Sequence, residues 1–228
     1  MAEPRSWSSG HAVRWTGFVI LCLIAAGAVL RRLFALTSPR VNAAGNPQMA
    51  QLAALDAAFA SRTVLTLVHI VPALLFVLLL PWWFMRRVRL EHKETHRRIT
   101  AALFVLGTIT GLTALPLSLH PVGGINEAAA TLLFDGLFLF SLGRAYFFWR
   151  RGETVQHRAW MTRAIAVLLG IATTRPVMGV FFATAPVTHL QPQQFFGTAF
   201  WIGFTTTYIA GEAYLRTREA RWRAEAES

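Results

Sequence analysis

Cysteine is almost missing from this chain of 228 residues, where Cys22 stands alone. One thiol excludes a disulfide framework and a cysteine-built zinc site. Charge is scarce too. Only 14% of residues are Asp, Glu, Lys or Arg, against about 25% in a soluble domain. Acidic residues are fewest, 11 against 22 basic ones, so the formal net charge is +11. Lysine occurs once, at Lys93, and arginine supplies the rest. The chain has no HExxH, no Walker loop, no glycine fingerprint for a dinucleotide and no Gly-x-Ser-x-Gly elbow. Zincin, phosphate-loop, dinucleotide-binding and α/β-hydrolase chemistry therefore have no support. What is abundant is apolar: 54% of residues are hydrophobic and the mean hydropathy is +0.45. That composition excludes a disordered chain and argues against a water-soluble globule.

A helix needs about 20 mostly apolar residues to cross the hydrocarbon. Six runs meet this: 15–36, 63–85, 99–120, 128–149, 159–185 and 196–215. The expected fold is an all-α polytopic bundle of six transmembrane helices. It divides into a first helix with an external loop (1–62), a five-helix core (63–215) and a basic tail (216–228). Arg5 and Arg14 precede the first run as in a signal peptide. The run is long, however, and Arg31-Arg32 follow it without a small-residue cleavage site, so it reads as a retained helix. The external loop contains a stretch, Met49 to Ala60, that reads as a short interfacial helix.

Lys and Arg in the connections set the orientation. Sixteen fall on one face, including Arg86, Arg87, Arg97, Arg98, Arg150 and Arg151, and four fall on the other, Arg31, Arg32, Arg40 and Arg62. Both termini are accordingly expected in the cytoplasm and the protein in a bacterial inner membrane. Trp15, Trp82, Trp83, Trp149, Trp160 and Tyr214 all fall where an interfacial aromatic belt would lie. The +11 charge is then explained by topology and anionic lipid, with the bilayer as partner and no nucleic acid.

Charge at the bilayer centre costs about 2.5–3.5 kcal/mol, so it needs a partner or a task. At about 1.5 Å per residue, His69, Asp135 and Arg175 fall in one layer of the outer half, with His120 above them at the mouth of the third run. Two readings stand beside each other. One is a structural Asp135–Arg175 ion pair with His69 as its hydrogen-bond neighbour. The other is a polar pocket on His69, His120, Asp135 and Arg175 for a solute or proton. Pro176 lacks a backbone donor and is expected to kink or break the fifth helix beside Arg175. Nearer the cytoplasm lie His92, His96, His157, Arg144, Arg163 and Glu212. Arg144 and Arg163 are expected to snorkel to the interface. His92 and His96, at i and i+4, read as a solvated turn, so no metal site is assigned.

Histidines at both levels also raise b-type haem, with His69 and His120 as an outer pair and His96 and His157 as an inner one. His96 and His120 are 24 residues apart, about 36 Å along one helix, which puts at least one of them in the headgroups. The two basic turns look alike: an Arg pair, then His96-Arg97 in one and His157-Arg158 in the other. This is the pattern of two duplicated hairpins or of two turns under the same topological pressure. Gly107 and Gly111 form a small-xxx-small face suited to close helix contact.

His69 in a span ending at a basic turn, His96-Arg97, His157-Arg158-Ala159-Trp160-Met161 and Arg175-Pro176 together carry a family likeness. Over about residues 63–215 the chain resembles the bacterial predicted membrane proteins called domain of unknown function 2306. Ile99 and Thr100 follow Arg98 where that family usually has a glycine. The resemblance implies a fold and a location but no reaction. Likeness to di-haem cytochromes with histidine ligands on a four-helix bundle is fold-level analogy. Three functional readings follow: a solute- or proton-linked membrane protein, a b-type haem redox protein, and a structural or assembly subunit. In the last, Gly107 and Gly111 would face a membrane-protein partner or a second copy of the chain.

Overall fold

The computed structural model describes residues 9–37, 53, 56–57 and 59–227. Among them lie seven helices and no strand: α1 (Ser9–Thr37), α2 (Thr63–Phe84), α3 (Arg86–Glu91), α4 (Lys93–Ser118), α5 (Gly124–Arg150), α6 (Thr154–Thr188) and α7 (Pro192–Glu227). The molecule is an all-helical, polytopic membrane bundle. Five helices, α1, α2, α4, α5 and α6, are long and apolar enough to span a bilayer. The sixth expected run opens α7. Thr205, Thr206, Thr207 and Glu212 dilute its apolar character, and α7 continues unbroken past residue 215. The expected interfacial helix over 49–60 lies largely outside the described residues.

Short turns join α4 to α5, α5 to α6 and α6 to α7, so each of these helices folds back on the one before it. Phe84 ends α2, and Met85 turns the chain with extended geometry (φ −64°, ψ 118°) into α3, a six-residue basic helix. Gly152 sits at φ +74° in the second basic turn, a left-handed conformation that costs glycine nothing. The two turns, with the start of α6 and the last half of α7, form the basic end of the bundle. The opposite end holds the end of α1, the start of α2 and the α4–α5 and α6–α7 connections.

The core lies between α2, α4, α5 and α6, around Phe76, Leu80, Leu103, Phe138, Met161 and Val167, all buried. α1 is peripheral and buries only Cys22 and Ala25. Large apolar side chains on the outside, such as Leu75, Leu112, Leu133 and Phe140, are what a lipid-facing surface requires.

Small residues set the helix spacing. On α6 they are Ala166, Gly170 and Thr174, and on α7 Gly203, Thr207 and Gly211, each set at intervals of four. A Cβ added at Gly203 would lie 2.6 Å from Thr174 N, one at Gly170 2.9 Å from Phe204 Cα, and one at Gly211 2.6 Å from Ala166 Cβ. The backbones meet where side chains are smallest, the usual route to helix association in lipid. Gly107 and Gly111 do the same inside the chain, receiving Leu142, Phe138 and Leu139 of α5. The expectation that they face a partner is therefore corrected: their surface is filled by α5.

Pro176 does not break α6, which runs from Thr154 to Thr188 without interruption. Thr173 and Thr174 just before it are held by hydrogen bonds, Thr173 to Thr207 Oγ1 on α7 (2.7 Å) and Thr174 to Gly170 O (2.9 Å). α7 thus braces the turn that proline weakens.

Candidate functional site

The basic end is built on Trp83. Its Nε1–H donates to Thr100 Oγ1 on α4 (3.2 Å), and its ring stacks on His96 at 5.9 Å and meets His157 edge-on at 6.2 Å. Trp83 is therefore a core residue, 4% exposed, and not an interfacial anchor. Its neighbour Trp82, half exposed, keeps a surface position. His157 Nδ1–H donates to Ala145 O on α5 (3.0 Å), while its Nε2 is enclosed without a partner among the described residues. Phe104 closes over the same imidazole at 6.0 Å.

The structure thus brings His96 and His157 onto one indole. Both rings are seated on Trp83 and do not face each other across a slot wide enough for a porphyrin. The outer pair is not brought together. His69 Nδ1 is committed to Thr110 O (3.0 Å) and Thr113 Oγ1 (3.1 Å) of α4. His120 lies seven residues beyond Thr113, about 10 Å further along the axis, exposed and turned back to Pro116 O. The cavity that His120 lines with Phe59, Arg62, Thr66, Leu117 and Val122 measures about 30 Å³, room for water and no more. The residues present do not fit a b-type haem in either pair. Among the described residues no three His, Cys, Asp or Glu side chains converge as a metal centre would need.

Arg144 and Arg163 do not simply snorkel. Arg163 forms a two-pronged ion pair with Glu212 of α7, Nε to Oε1 at 2.6 Å and Nη2 to Oε2 at 3.2 Å. Trp160 lies under both arginines, with Arg163 4.8 Å and Arg144 5.4 Å from its ring. Arg158 covers Trp222 at 4.2 Å. This end is a lattice of guanidinium groups on aromatic faces. Sequence reasoning missed the Arg163–Glu212 pair, although both residues were in view at one level of the membrane. The missing signal was the α6–α7 register set by Gly170, Gly203 and Gly211.

The opposite end is different. Asp135 and Arg175, the expected ion pair, do not meet. Asp135 is buried (9% exposed), its Oδ2 is enclosed without a partner, and no Lys, Arg or His pairs with it among the described residues. It stands one turn beyond Phe138, the residue that packs on Gly111, so it faces the α4 side of α5. Arg175 faces α1 instead. Its Nε is enclosed without a partner, and its charge lies within reach of Arg31 and Arg32. Ridge positions explain the miss: equal depth does not give equal facing, and α6 presents position 174 to Gly203 of α7 and 175 to α1.

The two polar groups that the sequence singled out in this half thus occupy separate places. Asp135 is an enclosed carboxylate between α5 and its neighbours. Arg175 lies within electrostatic range of Arg31 and Arg32, near the end of α1. His69 holds α2 to the α4 backbone, and His120 marks the rim.

A model for the predicted membrane protein family DUF2306 matches residues 66–213. No curated protein and no solved structure matches the chain.

Proposed function

The chain belongs to the DUF2306 family of predicted membrane proteins, and from that premise we propose that it is a proton-linked membrane protein with Asp135 as the group that takes up and releases the proton. One observation carries this reading: Asp135 is buried in a span, its Oδ2 is enclosed, and no basic side chain among the described residues pairs with it. A carboxylate enclosed away from water is costly unless a cation compensates it. The other embedded acids have partners among the described residues: Glu212 has Arg163, Asp56 has Arg31 and Arg32, and half-buried Glu127 takes the Gly123 backbone N–H. For Asp135 the cation has to come from outside, and a proton is the smallest. Ionisable residues inside spans mark such relays. The polar side chains His69, Thr110 and Thr113, on the α2–α4 contact beside α5, supply hydrogen-bonding groups in the same half of the bundle.

The test is proton flux into proteoliposomes under an imposed potassium diffusion potential, followed with an entrapped pH dye. The wild-type chain should acidify or alkalinise the lumen according to the sign of the potential. Asp135→Asn should reduce the flux to that of empty vesicles while the protein still purifies folded, and Asp135→Glu should retain part of it. Equal flux in wild type and Asp135→Asn would sink the reading.

The redox reading has one supporting feature, the unpartnered Nε2 of His157 beside His96. The packing of both rings on Trp83 leaves no room for haem, and no step is assigned to it.

A further inference from the structure

Arginine is sparse at the end of the bundle opposite the basic turns, as an inside-positive chain requires. Three of the arginines there are nonetheless gathered. Arg31 and Arg32 lie near the end of α1, and Arg175 lies on α6, which packs on α1, within electrostatic range of both. One described carboxylate serves them. Asp56 receives Arg31 Nη1 and Nη2 at 3.1 and 3.0 Å and also takes Arg32 Nη1. Arg32 is placed by Phe59, whose ring lies 4.0 Å from its guanidinium carbon. Arg175 receives nothing: its Nε is enclosed, and no carboxylate pairs with it among the described residues. Three cations facing one anion leave two positive charges uncompensated, with Arg31 exposed at the edge and Arg32 and Arg175 further in. Guanidinium groups within electrostatic range of one another repel, and the arrangement calls for a further anion. Guanidinium groups are built for this, because their planar fork grips two oxygens of one phosphate or carboxylate.

We propose that Arg31, Arg32 and Arg175 form a binding site for a phosphate group, with Asp56 as the resident carboxylate that holds two of the forks in position and competes for them. Arg32 lies five residues from the end of α1. The phosphate comes either from a free anion or from the headgroup of a phospholipid. The inference concerns residues distinct from Asp135 and stands whether or not proton movement is found.

The experiment uses the full chain in phosphate-free maltoside micelles, with inorganic phosphate as one probe and short-chain phosphatidic acid as the other. Binding is read by calorimetry and by the shift of the thermal midpoint. Arg32→Gln and Arg175→Gln should each weaken binding by about tenfold, the loss expected for a charge-assisted hydrogen bond. Asp56→Asn should strengthen it by a similar factor, because a competing carboxylate is gone. Arg175→Lys keeps the charge without the fork and should fall between wild type and Arg175→Gln, which keeps the test alive if the glutamine variant fails to fold. Binding of inorganic phosphate identifies a soluble anion as the ligand; binding of phosphatidic acid alone identifies a headgroup. If neither probe binds, the proposal is wrong. It is equally wrong if affinity is indifferent to Arg175→Gln in protein with an unchanged thermal midpoint, or if Asp56→Asn weakens binding.

Discussion

The two ends of the bundle carry similar residue types and use them in opposite ways. At the basic end, charges and rings are committed to one another: Arg163 grips Glu212, Trp160 lies under Arg144 and Arg163, and Trp83 seats His96 and His157. Even the enclosed Nε atom of Arg144 belongs to a group that spends its charge on Phe148, 4.7 Å away. At the opposite end, Asp135 has no cation and Arg175 no anion among the described residues. Polar groups that find each other hold helices together. Polar groups that are buried and left without each other are costly, and selection keeps such a cost where a proton or ligand supplies the missing partner. On the proposed reading, the paired groups of the basic end hold helices together and the proton-carrying acid lies at the other end, although His157 Nε2 is enclosed without a partner at the basic end as well.

The largest effect that would break this contrast is at Trp83. Trp83→Ala removes a buried ring, its hydrogen bond to Thr100 and the seat of two histidines. It should cost about 3–5 kcal/mol, read as the loss of folded protein in graded denaturing detergent. A loss below about 1 kcal/mol would mean that the histidine–indole cluster is not a structural centre. Next comes the α6–α7 seam. Gly203→Ala places a methyl against the Thr174 backbone, where only a helix shift can admit it. It should cost about 1–3 kcal/mol. Gly136→Ala, with nothing within 4 Å of the added methyl, should be neutral or slightly stabilising by the same assay. Equal losses at both positions would show that the seam is not tightly packed.

The fold was legible because lipid imposes a simple grammar: long apolar runs, basic turns and small residues at contacts. The α2, α4, α5 and α6 helices follow from it directly. The buried polar groups were legible as candidates and not in their pairing. His69, Asp135 and Arg175 stood out because ionisable groups are rare in spans, yet depth along a helix gives one coordinate, and facing gives the other. Facing depends on which helices are neighbours and in what register. That is decided by contacts such as Gly170 on Phe204 and Gly107 on Leu142, which a single sequence does not display. For the same reason Arg163–Glu212 went unseen, and Trp83 was read as a surface anchor when it fills the core.

The sharpest comparison sets one acid against the other. Glu212 and Asp135 are both carboxylates on packed helices of the bundle, and each can be replaced by its own amide with little change of volume. Glu212→Gln strips Arg163 of its counter-charge. The pair is partly exposed, at 20% and 29%, so the loss should lie between that of a surface pair and a buried one, about 1–2 kcal/mol. Asp135→Asn removes a buried charge that no described group compensates, so it should not destabilise the fold and should leave the thermal midpoint unchanged or raise it. The same thermal midpoint experiment reads both. A loss at Asp135 as large as that at Glu212 would mean that Asp135 has a partner holding the helices together, and its proton-carrying role would lose its basis. A loss confined to Glu212, with proton flux abolished only by Asp135→Asn, would separate the acid that ties helices from the acid that moves a proton.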